Sequence, residues 1–106
     1  MRIGEQTENE NGTAAPRLVL QLYVADDAPN SVRAVSNLRA ICRRWLETDE
    51  YQLEIIDVLR EPRRALEAGI LVTPTLLGSA SGTVSLIGTL DDHERIREAL
   101  GLGRAE

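Results

Sequence analysis

The segment LQLYVADDAPNSVRA (residues 20–34) decides the fold of this 106-residue chain. Its first part is apolar and rich in β-forming side chains, which predicts a strand over residues 17–24 that is covered on both faces. Asp26 and Asp27 then form an acidic turn, and we expect them to cap the helix that follows. Pro29 suits the first turn of that helix, because its fixed φ is helical and its missing N–H is not needed there.

An apolar stripe continues from this turn along a predicted helix of about four to five turns. The members of the stripe recur every three or four residues and are Val32, Val35, Leu38, Ile41, Cys42, Trp45 and Leu46. Residues 51–59 (YQLEIIDVL) predict a second strand with Leu53 and Ile55 facing the core. Since a strand, a helix and a strand follow one another closely, they form a βαβ unit with two parallel strands.

The second half of the chain predicts four further elements in the order helix, strand, strand, helix. They cover residues 63–68, 75–77, 83–87 and 91–100. Pro62 and Gly69 are suited to begin and end the first of these helices. Asp91 with Glu94 resembles a capping box at the start of the last helix, and Gly101 is suited to end it.

The predicted order β-α-β-α-β-β-α combines a parallel pair with an antiparallel hairpin. It indicates the thioredoxin-like α/β class, with a mixed four-stranded sheet and helices on both faces. The proline before the third strand is usually cis in this class, so we expect a cis Thr73–Pro74 bond, although only about 5% of X–Pro bonds are cis. A redox-active thioredoxin carries Cys-x-x-Cys in the turn before the first helix, and this turn contains no cysteine. The pattern therefore favours a binding function over redox catalysis.

Composition excludes several other functions. The net charge of −5 disfavours non-specific binding to nucleic acid or to an anionic membrane. The chain has neither an apolar run of about 20 residues nor a signal-peptide pattern, so we expect a cytoplasmic protein. Residues 1–16 hold few large apolar groups and are expected to be a disordered tail, followed by one domain over residues 17–102 and a short tail at 103–106.

The chemically distinctive side chains favour structural roles. Cys42 is the single cysteine and lies on the apolar stripe, where a small buried hydrophobe is more usual than a reactive thiolate. His93 is the single histidine, and we expect it to be solvated rather than a metal ligand. Asp57 lies near the end of the second predicted strand and can either be buried or cap the turn that follows, and the sequence leaves both open. We predict no catalytic residue, metal or cofactor.

Arginine side chains cluster around the short second helix. Arg60, Arg63 and Arg64 form the cluster, and Glu61 and Glu67 interrupt it. Such a cluster is either a solvated face or a surface for a partner with acidic groups, because the guanidinium fork suits protein interfaces.

Four segments resemble the KaiB family, the small clock proteins of cyanobacteria and their wider bacterial relatives. They are LQLYVADDAPNSVRA, EIIDVLREP, ILVTPTL and LIGTLDDHERI, and the resemblance covers about residues 18–102. It implies a non-enzymatic protein that docks on the ATPase ring of KaiC, a RecA-like kinase and ATPase, and that recruits KaiA in the full clock. It also implies two folds, a tetramer in which the last segment is a strand and a thioredoxin-like monomer that binds KaiC.

The chain departs from the family pattern in the segment that changes fold. The family has Ile-Gly-Leu-Asp-Leu where this chain has EALGL, so Ala99 replaces Gly and Gly101 replaces Asp, and Thr89 stands for the usual Asp after Gly88. Inside a helix Ala is favoured over Gly by roughly 1 kcal/mol, and Gly just beyond a helix favours its termination. We therefore predict that this protein stays mainly in the thioredoxin-like fold.

The resemblance places the docking surface around the end of the second strand and the short helix. The corresponding residues here are Arg60, Arg63, Arg64 and Glu67, while Gly69 stands where a lysine is often found. The expected partner is a KaiC-like RecA-type ATPase, with a KaiA-like protein or a histidine kinase as further candidates. Two other functions stay open, a thioredoxin-like thiol oxidoreductase and a stand-alone sensor domain that acts on a histidine kinase.

Overall fold

A computed structural model describes residues 18–79 and 82–102 of the chain. Its strands and helices follow the predicted order. They are β1 (Leu18–Val24), α1 (Pro29–Trp45), β2 (Tyr51–Asp57), α2 (Pro62–Ala68), β3 (Thr75–Ser79), β4 (Thr83–Ile87) and α3 (His93–Leu100). The expected tails at residues 1–16 and 103–106 lie outside the described residues.

The four strands form one mixed sheet in the order β2-β1-β3-β4. β1 is parallel to β2, and β4 returns antiparallel to β3, both as predicted. β1 also pairs antiparallel with β3. β1, β2 and β4 therefore end, and β3 begins, at the same end of the sheet. We call this the exit end.

The main core lies between the sheet and the pair α1 and α3. Fully buried aliphatic side chains from three elements meet there: Leu20, Leu22, Leu38, Ile41 and Leu76. α2 covers the opposite face alone, where Tyr23, Ile56 and Ala65 form a smaller cluster. Helices thus lie on both faces of the sheet, and the face under α2 is the more thinly covered one.

The start of α1 differs from the expectation. Asp26 and Asp27 do not cap this helix, which has no side-chain cap, and Asp26 takes a left-handed turn conformation with φ 51°. The Ser31 hydroxyl instead accepts the Ala25 N–H at 3.0 Å. Since Ser31 is buried on the inner side of the helix, Val32 faces outward and is 53% exposed, so its assignment to the buried stripe was wrong.

β2 ends at Asp57, two residues before its predicted end. The Asp57 carboxylate accepts the N–H of Leu59 at 2.9 Å and of Asp26 at 3.2 Å. These bonds turn the chain out of the strand and settle the role that the sequence left open for Asp57. As a result Leu59 lies outside the sheet and is 67% exposed.

α3 begins two residues later than predicted, at His93. Its N-cap is Asp92, whose carboxylate accepts the Arg95 N–H at 3.2 Å. The predicted capping box of Asp91 with Glu94 is therefore wrong, because Asp91 is directed toward α1 instead.

The backbone positions that the sequence marked as special are confirmed. The Thr73–Pro74 bond is cis. Gly69 and Gly101 end α2 and α3 with φ 74° and 71°, conformations that favour glycine. No helix in the two described ranges has the length and apolar character needed to cross a membrane.

Candidate docking surface

Large apolar side chains are exposed mainly at the exit end. The set is Val32, Leu59, Leu66, Leu71, Val72 and Ile87, with exposed fractions between 49% and 92%. Leu59, Leu71, Val72 and Ile87 lie near the point where a strand ends or begins at this end. Val32 lies in the first turn of α1, which follows the end of β1, and Leu66 lies on the outer side of α2. Single exposed apolar residues are ordinary, but several at one end of a small domain are typical of an interaction site.

Three of the four predicted docking residues lie on the surface beside these apolar groups. Arg60, Arg63 and Glu67 are exposed, and Arg63, Glu67 and Leu66 line a shallow depression on α2. The exposed Arg60 guanidinium lies 3.6 Å from the carboxylate of Asp57, whose side chain is mostly buried. The apolar members of this surface were missed in the sequence, because Leu59 and Leu66 were not distinguishable there from core residues.

Arg64, the fourth predicted residue, is not a free surface cation. Its guanidinium donates two hydrogen bonds to the Glu54 carboxylate, at 2.6 and 2.8 Å, and a longer one to Glu61 at 3.3 Å. The bond from Arg64 holds the pKa of the Glu54 carboxyl below its ordinary value. Because Glu54 belongs to β2, this bidentate pair fixes how α2 lies on the sheet.

A second polar cluster joins α1 to the start of α3 and the segment before it, and no sequence pattern indicated this cluster. The Asn37 amide donates to the Thr89 carbonyl oxygen and to the Asp91 carboxylate, both at 2.8 Å. The two bonds from the Asn37 amide nitrogen fix the orientation of the amide group, and its carbonyl oxygen lies 3.0 Å from His93 Nε2. Because a carbonyl oxygen can only accept, His93 Nε2 carries the proton of this bond. We call Asn37, Thr89, Asp91 and His93 the α1–α3 clasp.

The clasp corrects the expectation for His93, which is half-buried and hydrogen-bonded rather than solvated. Arg33 adds an exposed ion pair to Asp91 at 3.0 Å. Hydrogen bonds from Thr89 and Asn37, with Arg33 nearby, lower the pKa of the Asp91 carboxyl. The clasp joins α1 to α3 and includes no residue of α2, so it supports the fold without forming part of the candidate docking surface.

The residues that we expected to set the fold state have the positions of the thioredoxin-like fold, in which the last segment is the helix α3. Pro29 begins α1 and Pro74 carries the cis bond. Gly88 ends β4 with φ 116°, a conformation that L side chains rarely adopt. Ala99 lies inside α3, and Gly101 caps its end.

Cys42 lies in the main core with 1% of its surface exposed. Burial raises the pKa of its thiol from 9.0 to about 11, against smaller lowering effects of Arg39, Arg43 and a Tyr51 hydrogen bond. A reactive cysteine needs an accessible thiolate at neutral pH, and this environment provides neither. Among the described residues no group of His, Cys, Asp and Glu side chains is arranged to hold a metal ion.

Comparison with known proteins agrees with the sequence resemblance. The model of the KaiB domain family matches residues 21–102. A circadian clock protein KaiB3 of Synechocystis sp. is 40% identical over 81 residues, which cover 76% of this chain and 78% of that protein. A circadian clock oscillator protein KaiB of Nostoc punctiforme is 46% identical over 85 residues, or 79% of this chain and 81% of that one.

Solved structures confirm the thioredoxin-like class. The N-terminal domain of Synechococcus elongatus SasA superposes with a TM-score of 0.66 at 27% identity, over 95% of this chain and 93% of that domain. A Fasciola hepatica thioredoxin superposes with the same TM-score of 0.66 at 18% identity, over 88% and 84% of the two chains. The second match concerns the fold alone. Because the family model and the KaiB relatives each span most of the sequence, this chain belongs to the KaiB family.

Proposed function

We propose that this protein is a non-enzymatic regulatory module that docks on the ATPase ring of a KaiC-like protein. Docking modulates the phosphorylation or ATPase cycle of that partner, in circadian or stress-related signalling in the cytoplasm. The observation that carries the proposal is the exposed surface on and beside α2, in a chain that belongs to the KaiB family. A KaiA-like protein is a further candidate partner.

The surface has the composition of a protein interface. Leu59 and Leu66 provide apolar area with exposed fractions of 67% and 79%. Arg60, Arg63 and Glu67 provide charges around that area. Apolar residues surrounded by polar ones are the usual arrangement of such interfaces, and Arg is enriched in them.

The Arg64–Glu54 pair assigns different roles to neighbouring arginines. Arg63 makes no ion pair within the described residues and is available to an acidic group of the partner. Arg64 has two carboxylate partners already and acts by holding α2 in place. We therefore expect Arg63 to contact the partner and Arg64 to act as a positioning residue.

The fold state is part of the proposal. α3 is helical, with Ala99 inside it, Gly101 at its end and the α1–α3 clasp at its start. We propose that these features keep the protein mainly in the thioredoxin-like fold, without a stable tetrameric form of different fold. A protein held in one fold acts as a constitutive regulator of its partner rather than as a slow timer.

Binding to the purified KaiC-like ATPase of the source organism, with and without ATP, tests the proposal. Arg63→Glu and Leu66→Glu are each expected to weaken binding by about tenfold or more, because each places an anion on the central surface of α2. Arg43→Glu is the matched control, since it makes the same charge change near the far end of α1 and should leave binding unchanged. Absence of binding by the unaltered protein, or equal effects of all three variants, would contradict the proposal.

A second candidate is a stand-alone domain that acts on a histidine kinase, and the similarity to the SasA N-terminal domain favours it. Binding to a histidine kinase but not to a KaiC-like ATPase would select this candidate. The third possibility, a thiol oxidoreductase, is disfavoured by the burial and raised pKa of Cys42. Rapid reaction of Cys42 with a thiol reagent in the native protein would support the oxidoreductase after all.

A further inference from the structure

We propose that β4 is a self-association edge, at which two copies of the chain pair their β4 strands antiparallel about a two-fold axis at Ser85. β4 is the last strand in the order β2-β1-β3-β4. One side of it pairs with β3, and no strand in residues 18–79 or 82–102 pairs with the other. This inference does not depend on the proposed docking function.

The backbone groups on the open side of β4 follow from its pairing with β3. Gly88 donates its N–H to the Pro74 carbonyl oxygen at 3.0 Å across this pair. In an antiparallel pair, residues that bond across the ladder alternate with residues whose N–H and C=O groups point away. Three residues of β4 therefore direct their backbone groups to the open side, namely Thr83, Ser85 and Ile87.

β4 lacks the features that usually prevent edge strands from pairing. Its sequence TVSLI contains no charged residue and no proline. The register with β3 runs without interruption from Thr75↔Ile87 to Ser79↔Thr83, so no bulge twists the edge away. Ile87 is 69% exposed at the end of this strand. Natural edge strands commonly carry a charge, a proline or a bulge, and a strand without them is open to a further strand.

β4 is also complementary to itself. A two-fold axis at Ser85 pairs Thr83 with Ile87, Val84 with Leu86 and Ser85 with Ser85, flanked by Gly82 opposite Gly88. No pair places like charges together, and pairs that contain β-branched residues are favourable across strands.

The other edge of the sheet does not offer this arrangement. β2 covers Tyr51–Asp57, so antiparallel pairing about its centre would place Glu54 opposite Glu54. Like charges directly opposite each other destabilise a strand pair, and Glu54 is already engaged by Arg64. A second copy of this chain is therefore an occupant that fits β4 and not β2.

The association is expected to be weak. Two strands of 5 residues bury much less than the roughly 1,200 Å² of a stable complex. Each copy also carries a net charge of −5, so the copies repel at low salt. Dimer formation should therefore increase with protein concentration and with ionic strength, since added salt screens the repulsion.

Sedimentation equilibrium from micromolar to millimolar concentration tests the inference. Ser85 is exposed, so Ser85→Arg should fold normally while placing two guanidinium groups opposite each other. We expect the association constant of Ser85→Arg, and of Ser85→Glu, to fall by about tenfold or more. An equal mixture of the two variants should recover association, because opposite charges then face each other. Gln52→Arg, an exposed position on β2, is the matched control and should associate like the unaltered chain.

Amide hydrogen exchange locates the contact. The N–H groups of Ser85 and Ile87 should become protected as concentration rises, whereas those of Val84 and Leu86 are protected at every concentration. A monomer throughout the range, a dimer unaffected by Ser85→Arg, or a dimer lost in Gln52→Arg would each overturn the inference. Pairing of β4 only with a strand of another protein would overturn it as well.

Discussion

Removing the central residue of the α1–α3 clasp should cost a measurable part of the fold's stability. Asn37→Ala deletes three hydrogen bonds, two of 2.8 Å to Thr89 and Asp91 and one of 3.0 Å with His93. At about 1 kcal/mol for each bond the gross loss is roughly 3 kcal/mol, and the site is only partly buried, which reduces it. Ala gains up to about 0.7 kcal/mol of helix propensity over Asn. The free energy of unfolding should therefore fall by about 2 kcal/mol.

Urea unfolding followed by circular dichroism measures this change. Ser36→Ala is the matched control, because Ser36 is the exposed neighbour of Asn37 on α1 and should change the unfolding free energy by less than about 0.5 kcal/mol. The clasp joins two elements, so the loss should also appear as faster amide exchange along α3 than along β1.

The reasoning would be refuted if Asn37→Ala were as stable as Ser36→Ala. It would also be refuted if Asn37→Ala and His93→Ala were additive in the double variant, since two residues of one hydrogen-bond network should show a coupling of at least about 0.5 kcal/mol. Exchange that accelerates equally in every element would indicate a general loss of stability and not a local role of the clasp.

Three further predictions concern single positions. The pKa of Glu54 is lowered in the folded state, so its pair with Arg64 stabilises the fold fully above the ordinary pKa of 4.5, and this contribution is lost as the pH falls through the folded pKa. Arg64→Ala should therefore reduce the decrease of the urea midpoint at acid pH. An unchanged decrease would contradict this prediction. The Cys42 thiol has a pKa raised to about 11, so it should react with a disulfide reagent at least about 100-fold more slowly in the native than in the urea-unfolded protein. A fast reaction of the native protein would contradict the burial of Cys42 in the core. Ala99→Gly should lower the free energy of unfolding by roughly 1 kcal/mol and speed amide exchange in α3. Unchanged exchange in α3 would show that this helix does not depend on the helix propensity of residue 99.

The elements that could be predicted are those specified by local pattern. The apolar run before Asp26, the three-to-four spacing along α1 and the glycines after α2 and α3 each carry their own signal within a few residues. The cis bond at Pro74 followed from the fold class, and the class followed from the order of elements. Helix α2 was placed within one residue of its observed start for the same reason.

The errors arose where contacts between distant residues override a local pattern. Asp91 follows the spacing of a helix cap, but Asn37, 54 residues earlier, provides a better partner, and Asp92 becomes the cap. The different roles of Arg63 and Arg64 likewise depend on Glu54, which lies on β2 beneath α2 and binds Arg64. Nothing in the run of arginines distinguishes one from the other. The sequence therefore predicted a candidate surface that stays a prediction, and the engagement of Arg64 by Glu54 became visible only in the fold.

Because only the short helix α2 covers this face of the sheet, binding of a partner to α2 should be detectable by amide exchange. Ala65 is the only buried residue of α2, which is also held by the Arg64–Glu54 pair, whereas the main core lies on the other side of the sheet. This short helix can thus open locally at a smaller free-energy cost than global unfolding. Any protein that binds α2 should suppress this local opening, so we expect the amide protons of α2 to exchange with deuterium more slowly in the complex than in the free protein.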